Sequence, residues 1–137
     1  MPRRLAVIAA VASLAVALAP SSSKAHDLTS KTSLTRFKVP AGKTERGDKI
    51  VLLGRLRSAD PTCHAGIVVG LYRADPAGDR RLARDVTDGD GEYLFQRRPR
   101  RHQTIYVKFE GFVHSVADHS HNCGGSLSRQ VNIRILR

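Results

Sequence analysis

The sequence predicts an all-β fold: a seven-stranded antiparallel β-sandwich that follows an N-terminal signal peptide. Three observations carry this. Short alternating or β-branched segments recur from residue 35 onward. Gly and Pro total 17 and fall mostly between those segments, with no convincing helical pattern after residue 25. Two cysteines stand far apart in a chain that carries an export signal, the pattern of a small stapled domain.

The signal comes first. Arg3 and Arg4 precede an apolar run over residues 5–19, shorter than the roughly 20 residues a spanning helix needs. Ser23-Lys24-Ala25 forms a small-x-small site, so cleavage is expected after Ala25. A cut after Ala19 would leave Pro20 next to it. Residues 1–25 are thus read as the signal peptide, 26–33 as a flexible polar leader and 34–137 as the sandwich. Removing 25 of 137 residues leaves 112, enough for one hydrophobic core. No later segment is apolar enough to span a bilayer.

The expected strands follow in order. "TRFKV" (35–39) puts Phe37 and Val39 on one face. "KIVLLGRL" (49–56) aligns Ile50, Leu52 and Leu56, with Gly54 at the remaining position marking a bulge or a close approach. "IVVGLYR" (67–73) is the strongest strand signal. "RRLARDV" (80–86) turns Leu82 and Val86 inward. "EYLFQR" (92–97) alternates through Tyr93 and Phe95. "TIYVKFEGF" (104–112) alternates Ile105, Val107 and Phe109, and "RQVNIRIL" (129–136) alternates Val131, Ile133 and Ile135. The stretch 113–128 reads as one long loop.

If each strand reverses the direction of the one before it, the loops alternate between two ends. Loops 58–66, 87–91 and 113–128 then share an end, which brings Cys63 and Cys123 together as a disulfide requires. They stand 60 positions apart, and closing such a loop stabilises a fold by about 4 kcal/mol in the chain-entropy account. The same end gathers Asp88, Asp90, Asp118 and the histidines His64, His114, His119 and His121. The opposite end gathers Lys43, Arg46, Arg80, Arg81 and the run "RRPRRH" (97–102).

Each end has a chemistry. Neutral imidazoles bind zinc or copper, and His64, His114, His119 and His121 are the candidate ligands. Arginine forks grip phosphate, sulfate and carboxylate, and Arg97, Arg98, Arg100 and Arg101 are the candidate anion-binding residues. Loss of Arg3, Arg4 and Lys24 takes the basic count from 23 to 20 against 12 acidic residues, a net +8 that favours anionic partners. No aromatic stacking surface or reading helix accompanies the arginines, so specific nucleic-acid recognition is not expected.

"TDGDGEYLF" (87–95) offers acidic residues in a row, but no register satisfies a calcium loop. With Asp88 first, the sixth position is Tyr93 where glycine is required. Asp and Gly instead suit the tip of a hairpin. No nucleophile elbow occurs, and paired cysteines leave no thiolate.

The strands carry a family likeness. "GDKIVLLGRL", "AGIVVGLYR", "DVTDGDGEYLF", "IYVKFEG" and "VNIRI" resemble the prealbumin-like sandwiches: transthyretin-like and carboxypeptidase-regulatory-like modules, close to bacterial Ig-like domains of secreted proteins. Gly54, Gly66, Leu71, Tyr72, Thr87, Asp88, Gly91, Tyr93 and Tyr106 carry it, over roughly residues 35–136. A true immunoglobulin domain would add a Trp, and this chain has none. "TDGDGEYLF" with His119-Ser120-His121 also resembles fragments of intradiol dioxygenases, iron enzymes on a similar sandwich, but their substrate-binding segments are missing.

The resemblance implies the sandwich fold; with the signal peptide and the absence of catalytic motifs, the expectation is a secreted, non-catalytic module that needs no cofactor. Its loops would bind an extracellular protein or acidic polymer. The alternative is a small extracellular zinc- or copper-binding protein using the 114–121 histidine loop.

Overall fold

The structure, a computed structural model, describes residues 26–39, 43–117 and 119–136. The expected signal peptide, residues 1–25, lies outside them, as does Asp118 of the histidine loop.

The chain is all-β. In order it forms β1 (His26–Ser30), β2 (Thr32–Lys38), β3 (Thr44–Glu45), β4 (Ile50–Ser58), β5 (Val68–Arg73), β6 (Arg80–Val86) and β7 (Glu92–Arg97). Then come β8 (Gln103–Phe109), β9 (Phe112–Val116), β10 (His119–Cys123), β11 (Ser126–Leu127), β12 (Val131–Ile133) and β13 (Ile135–Leu136). One short 3-10 turn, Pro61–Cys63, interrupts them. One larger sheet runs β2-β4-β7; the other runs β11-β8-β5-β6, with β12 also on β8. Two small sheets, β3-β13 and β1-β10-β9, complete the body.

The core lies between the larger sheets and follows from strand alternation. Leu52 and Leu56 of β4, Val69 and Leu71 of β5, and Ile105 and Val107 of β8 are almost wholly removed from water. Tyr93 and Phe95 of β7 close the cluster. Each such aliphatic side chain contributes about 1.5–3 kcal/mol by burial. Gly54 stands opposite Tyr93 in the β4–β7 register, and a β-carbon there would overlap the Tyr93 hydroxyl. The expected close approach at Gly54 is therefore present, with the Tyr93 ring filling the space.

Thr87 is the main buried polar residue joining loops. Its hydroxyl accepts from the Ile67 amide at 2.8 Å and donates to the His64 carbonyl at 2.6 Å. Its backbone amide donates to the Ile67 carbonyl at 2.8 Å, and its carbonyl accepts from the Gly66 amide at 3.0 Å. One residue thus ties the cysteine-bearing loop to the start of the acidic turn.

That turn is tight, as its composition predicts. The Asp88 carboxylate accepts from the amides of Asp90 and Glu92 at 2.9 and 2.8 Å. Gly91 holds φ at 80°, a left-handed conformation that favours glycine, and a β-carbon there would overlap the Leu56 carbonyl oxygen. It is not a hairpin tip, however. β6 pairs with β5 and β7 pairs with β4, so the turn carries the chain from one sheet to the other.

Other expectations need correction. The segment read as a flexible leader is extended: β1 pairs in parallel with β10, and β2 begins at Thr32. The stretch read as one long loop holds β9, β10 and β11. Both segments lack an apolar period because their strands are largely solvated, as the half-exposed Leu28 and the 64% exposed Val113 attest. The expected last strand divides. β12 joins β8, and β13 joins β3 in parallel, so the pairing is not wholly antiparallel. Val86 is 57% exposed rather than inward. A bulge between Leu71 and Tyr72 leaves Leu82 as an extra residue opposite them, which shifts the alternation of β6 and sets Val86 beside the exposed Val68.

Candidate functional site

The loops gather at two ends, and each end has its own chemistry. At one, β5, β6 and β7 meet the β7–β8 connection and the turn after β3 around an open cleft of about 570 Å³. Arg73 ends β5, Arg80 and Arg81 begin β6, and Arg97 ends β7. Arg98, Arg100 and Arg101 line the cleft from the following connection, and Arg46 from the turn. All four candidate anion-binding residues therefore face one space, joined by four further arginines. Arg46, Arg80 and Arg81 were expected at this end. Arg73 was not marked, because it terminates an apolar strand; its place beside the 74–79 turn was the available signal.

Few of these charges are neutralised. Among the described residues, Arg73 is the one cleft arginine in an ion pair, with Asp75 at 3.2 Å. Arg97 donates to the Leu82 carbonyl at 3.3 Å and Arg98 to the Gly47 carbonyl at 2.9 Å. These bonds fix the stems without supplying negative charge. Asp79, beside Arg80, accepts a hydrogen bond from the Tyr106 hydroxyl, which holds its carboxyl below the ordinary range. Tyr106 is pushed up to about 12 by burial and by that carboxylate. Leu82, Pro99 and Gln103 supply the remaining lining, so no aromatic ring offers a stacking surface. Eight guanidinium groups in an open, aromatic-free cleft attract anions at range and grip oxyanions on contact.

At the other end Cys63 and Cys123 form the expected disulfide, with Cα atoms 5.4 Å apart and both side chains buried. Asp60 precedes the 3-10 turn. Its carboxylate caps the turn by accepting from the Thr62 amide at 2.9 Å and hydroxyl at 2.7 Å. It also accepts from His121 Nδ1 at 2.8 Å. The Thr62 bond first, and His121 second, hold the Asp60 carboxyl below the ordinary range. Disulfide and hydrogen bond thus cross-link the same two segments.

The four candidate metal ligands are only partly brought together. His114 stands opposite His121 in the β9–β10 register, and His119 lies two residues before His121. His64 sits apart against Gly91, with Nδ1 buried and lacking a hydrogen-bond partner. Among the described residues, no three His, Cys, Asp or Glu side chains are arranged to hold a metal ion. No helix among them is long and apolar enough to cross a membrane. The Asp60–His121 pair escaped the sequence reading, since nothing local links residues 61 positions apart. No protein-family model matches the chain, and no curated protein matches it.

Proposed function

We propose that this chain is a secreted, non-catalytic β-sandwich module of transthyretin-like or Ig-like type that binds an anionic extracellular polymer through its arginine cleft. One observation carries the reading: eight arginines line a single open cleft, and among the described residues one of them is ion-paired. Multiple guanidinium groups suit a chain of sulfate, phosphate or carboxylate groups better than one small anion, because each extra contact adds to the last. The sheets hold the cleft-bearing loops in place, as a binding scaffold requires. Secretion is supported by the signal-like N-terminus and by the disulfide.

The test is binding to an immobilised sulfated or phosphorylated glycan at low salt. Affinity falls as salt rises, since screening shortens the reach of each charge. The triple variant Arg98→Ser/Arg100→Ser/Arg101→Ser weakens binding about tenfold or more, at roughly 0.5–1 kcal/mol for each exposed contact. Its melting temperature falls little, because these side chains make no ion pair among the described residues and the one hydrogen bond lost, from Arg98 to the Gly47 carbonyl, is exposed. Absence of binding at low salt, or equal binding by the variant, overturns the reading.

A further inference from the structure

The arginine cleft does not stand alone. On one side it adjoins a groove of about 340 Å³ that shares Arg97 and Arg98 with it and reaches Lys49, just before β4. On the other it adjoins a groove of about 540 Å³, sharing Arg46, Arg100 and Arg101. His102 joins that groove to a fourth, of about 390 Å³, which reaches Arg134 beside β8 and β12. The four concavities form one track over the pole, from the β4–β7 pair to the β8–β12 pair. Three strand spacings of about 4.8 Å and the step between the sheets make it roughly 20 Å long.

No Asp or Glu is among the described residues lining this track. The pocket on the flank of the β4–β7 sheet is the contrast, since Asp85, Asp88 and Glu92 share it with Lys38 and Arg55. An ordinary solvated surface mixes signs in that way. His102 adds a donor to the track. Its Nδ1 accepts from the Ile135 amide at 3.0 Å, so the proton of the neutral ring sits on Nε2.

We infer that the track binds a linear chain of closely spaced phosphate groups, laid across the pole from Lys49 to Arg134. The inference rests on the cleft reading above and names the polymer the cleft takes. Density decides the class. Arg80 and Arg81, Arg97 and Arg98, and Arg100 and Arg101 are neighbours in sequence, so guanidinium groups crowd the central cleft. A polyphosphate carries a charge on every repeat and matches that density, each phosphate taking an arginine fork. A sulfated glycan spaces its anions by whole sugar rings, and a nucleic acid carries bases. Both gain from stacking on aromatic side chains, and no Phe, Tyr or Trp is among the described residues lining the track.

Chain length provides the test. The protein is titrated at low salt with tripolyphosphate, long-chain polyphosphate, poly(glycerol phosphate) and heparin, the last as the sulfated glycan. Long-chain polyphosphate binds about tenfold or more tighter than tripolyphosphate, because each further contact adds to the last. Its affinity also falls more steeply with salt, because more counterions are displaced. Lys49→Ser/Arg134→Ser alters only the two ends of the track. It weakens long-chain binding by roughly two- to fivefold per end and leaves tripolyphosphate binding unchanged. Thermal melts confirm that this variant is folded, and the length comparison on the wild-type protein does not depend on it. Whichever phosphate polymer binds more tightly identifies the source, an inorganic chain or a phosphodiester wall polymer. Equal affinity for tripolyphosphate and the long chain, tighter binding of heparin than of both phosphate polymers, or unchanged long-chain binding by the double variant overturns the inference. Heparin binding then leaves the cleft reading standing, whereas absence of binding to every polyanion removes both.

Discussion

The two ends of this molecule solve opposite problems. The cysteine end is cross-linked at every level: the disulfide joins residues 63 and 123, the Asp60–His121 pair joins the same segments, and Thr87 bonds the neighbouring turn to the loop before β5. The arginine end has no covalent link, and its guanidinium groups repel one another across an open cleft. A surface that gathers like charge for a partner destabilises the body that carries it. Here the firm attachments lie at the far pole, away from the groups that must stay available.

If that division is right, the largest effect comes from cutting the staple. Reduction, or Cys63→Ser/Cys123→Ser, costs about 4 kcal/mol, of a total that for such domains is typically 5–15 kcal/mol. Urea unfolding with and without reductant measures it. A loss below about 1 kcal/mol would mean that the hydrogen bonds at this end suffice without the covalent link.

A smaller effect probes the acidic turn. Gly91→Ala imposes a left-handed backbone on alanine and drives its β-carbon into the Leu56 carbonyl oxygen, for a cost above about 1 kcal/mol. Gly89→Ala, two residues away, meets open space and changes the unfolding midpoint little. Equal midpoints for the two variants would show that the turn moves aside freely and does not brace this end.

The smallest effect is confined to acid. The folded chain holds the Asp60 carboxyl below its ordinary value of 3.8, chiefly through Thr62 and then His121. Such a group stabilises the fold above its unfolded pKa, and the contribution is lost as pH falls through the lower, folded value. Wild-type stability therefore declines below about pH 3.8. Asp60→Asn starts lower and declines less steeply over the same range. Urea midpoints between about pH 5 and pH 2 compare the slopes; parallel slopes would remove Asp60 from the acid response.

What could be read in advance divides along physical lines. Residues 92–97 alternate in sequence and are alternately buried, because that strand has one face on the core; in 104–109 Ile105, Val107 and Phe109 are buried as the alternation predicts, and Tyr106 between them is buried too, stacked on Tyr72. β1 and β10 could not be read that way. Their pairing is made by backbone groups beside a disulfide, and Leu28 gains little burial from it. In β6, one extra residue at Leu82 breaks a count that the sequence carries without interruption. Ile133 and Ile135 are both buried as alternation predicts, yet they belong to strands with different partners, which periodicity cannot specify. The cleft was legible because adjacent arginines in "RRPRRH" crowd one loop wherever it lies. The Asp60–His121 contact was not, since it depends on how the whole chain closes.

The division at Arg134 has a practical side. Past that residue the tail belongs to the arginine end. The Arg134 carbonyl accepts from the Thr44 amide at 3.1 Å, and the Ile135 amide donates to His102 Nδ1 at 3.0 Å. Arg134 and Ile135 therefore lash together the turn that presents Arg46 and the connection that presents Arg100 and Arg101. A protease nick after Ile133 would slacken both arms of the cleft while leaving the opposite pole intact.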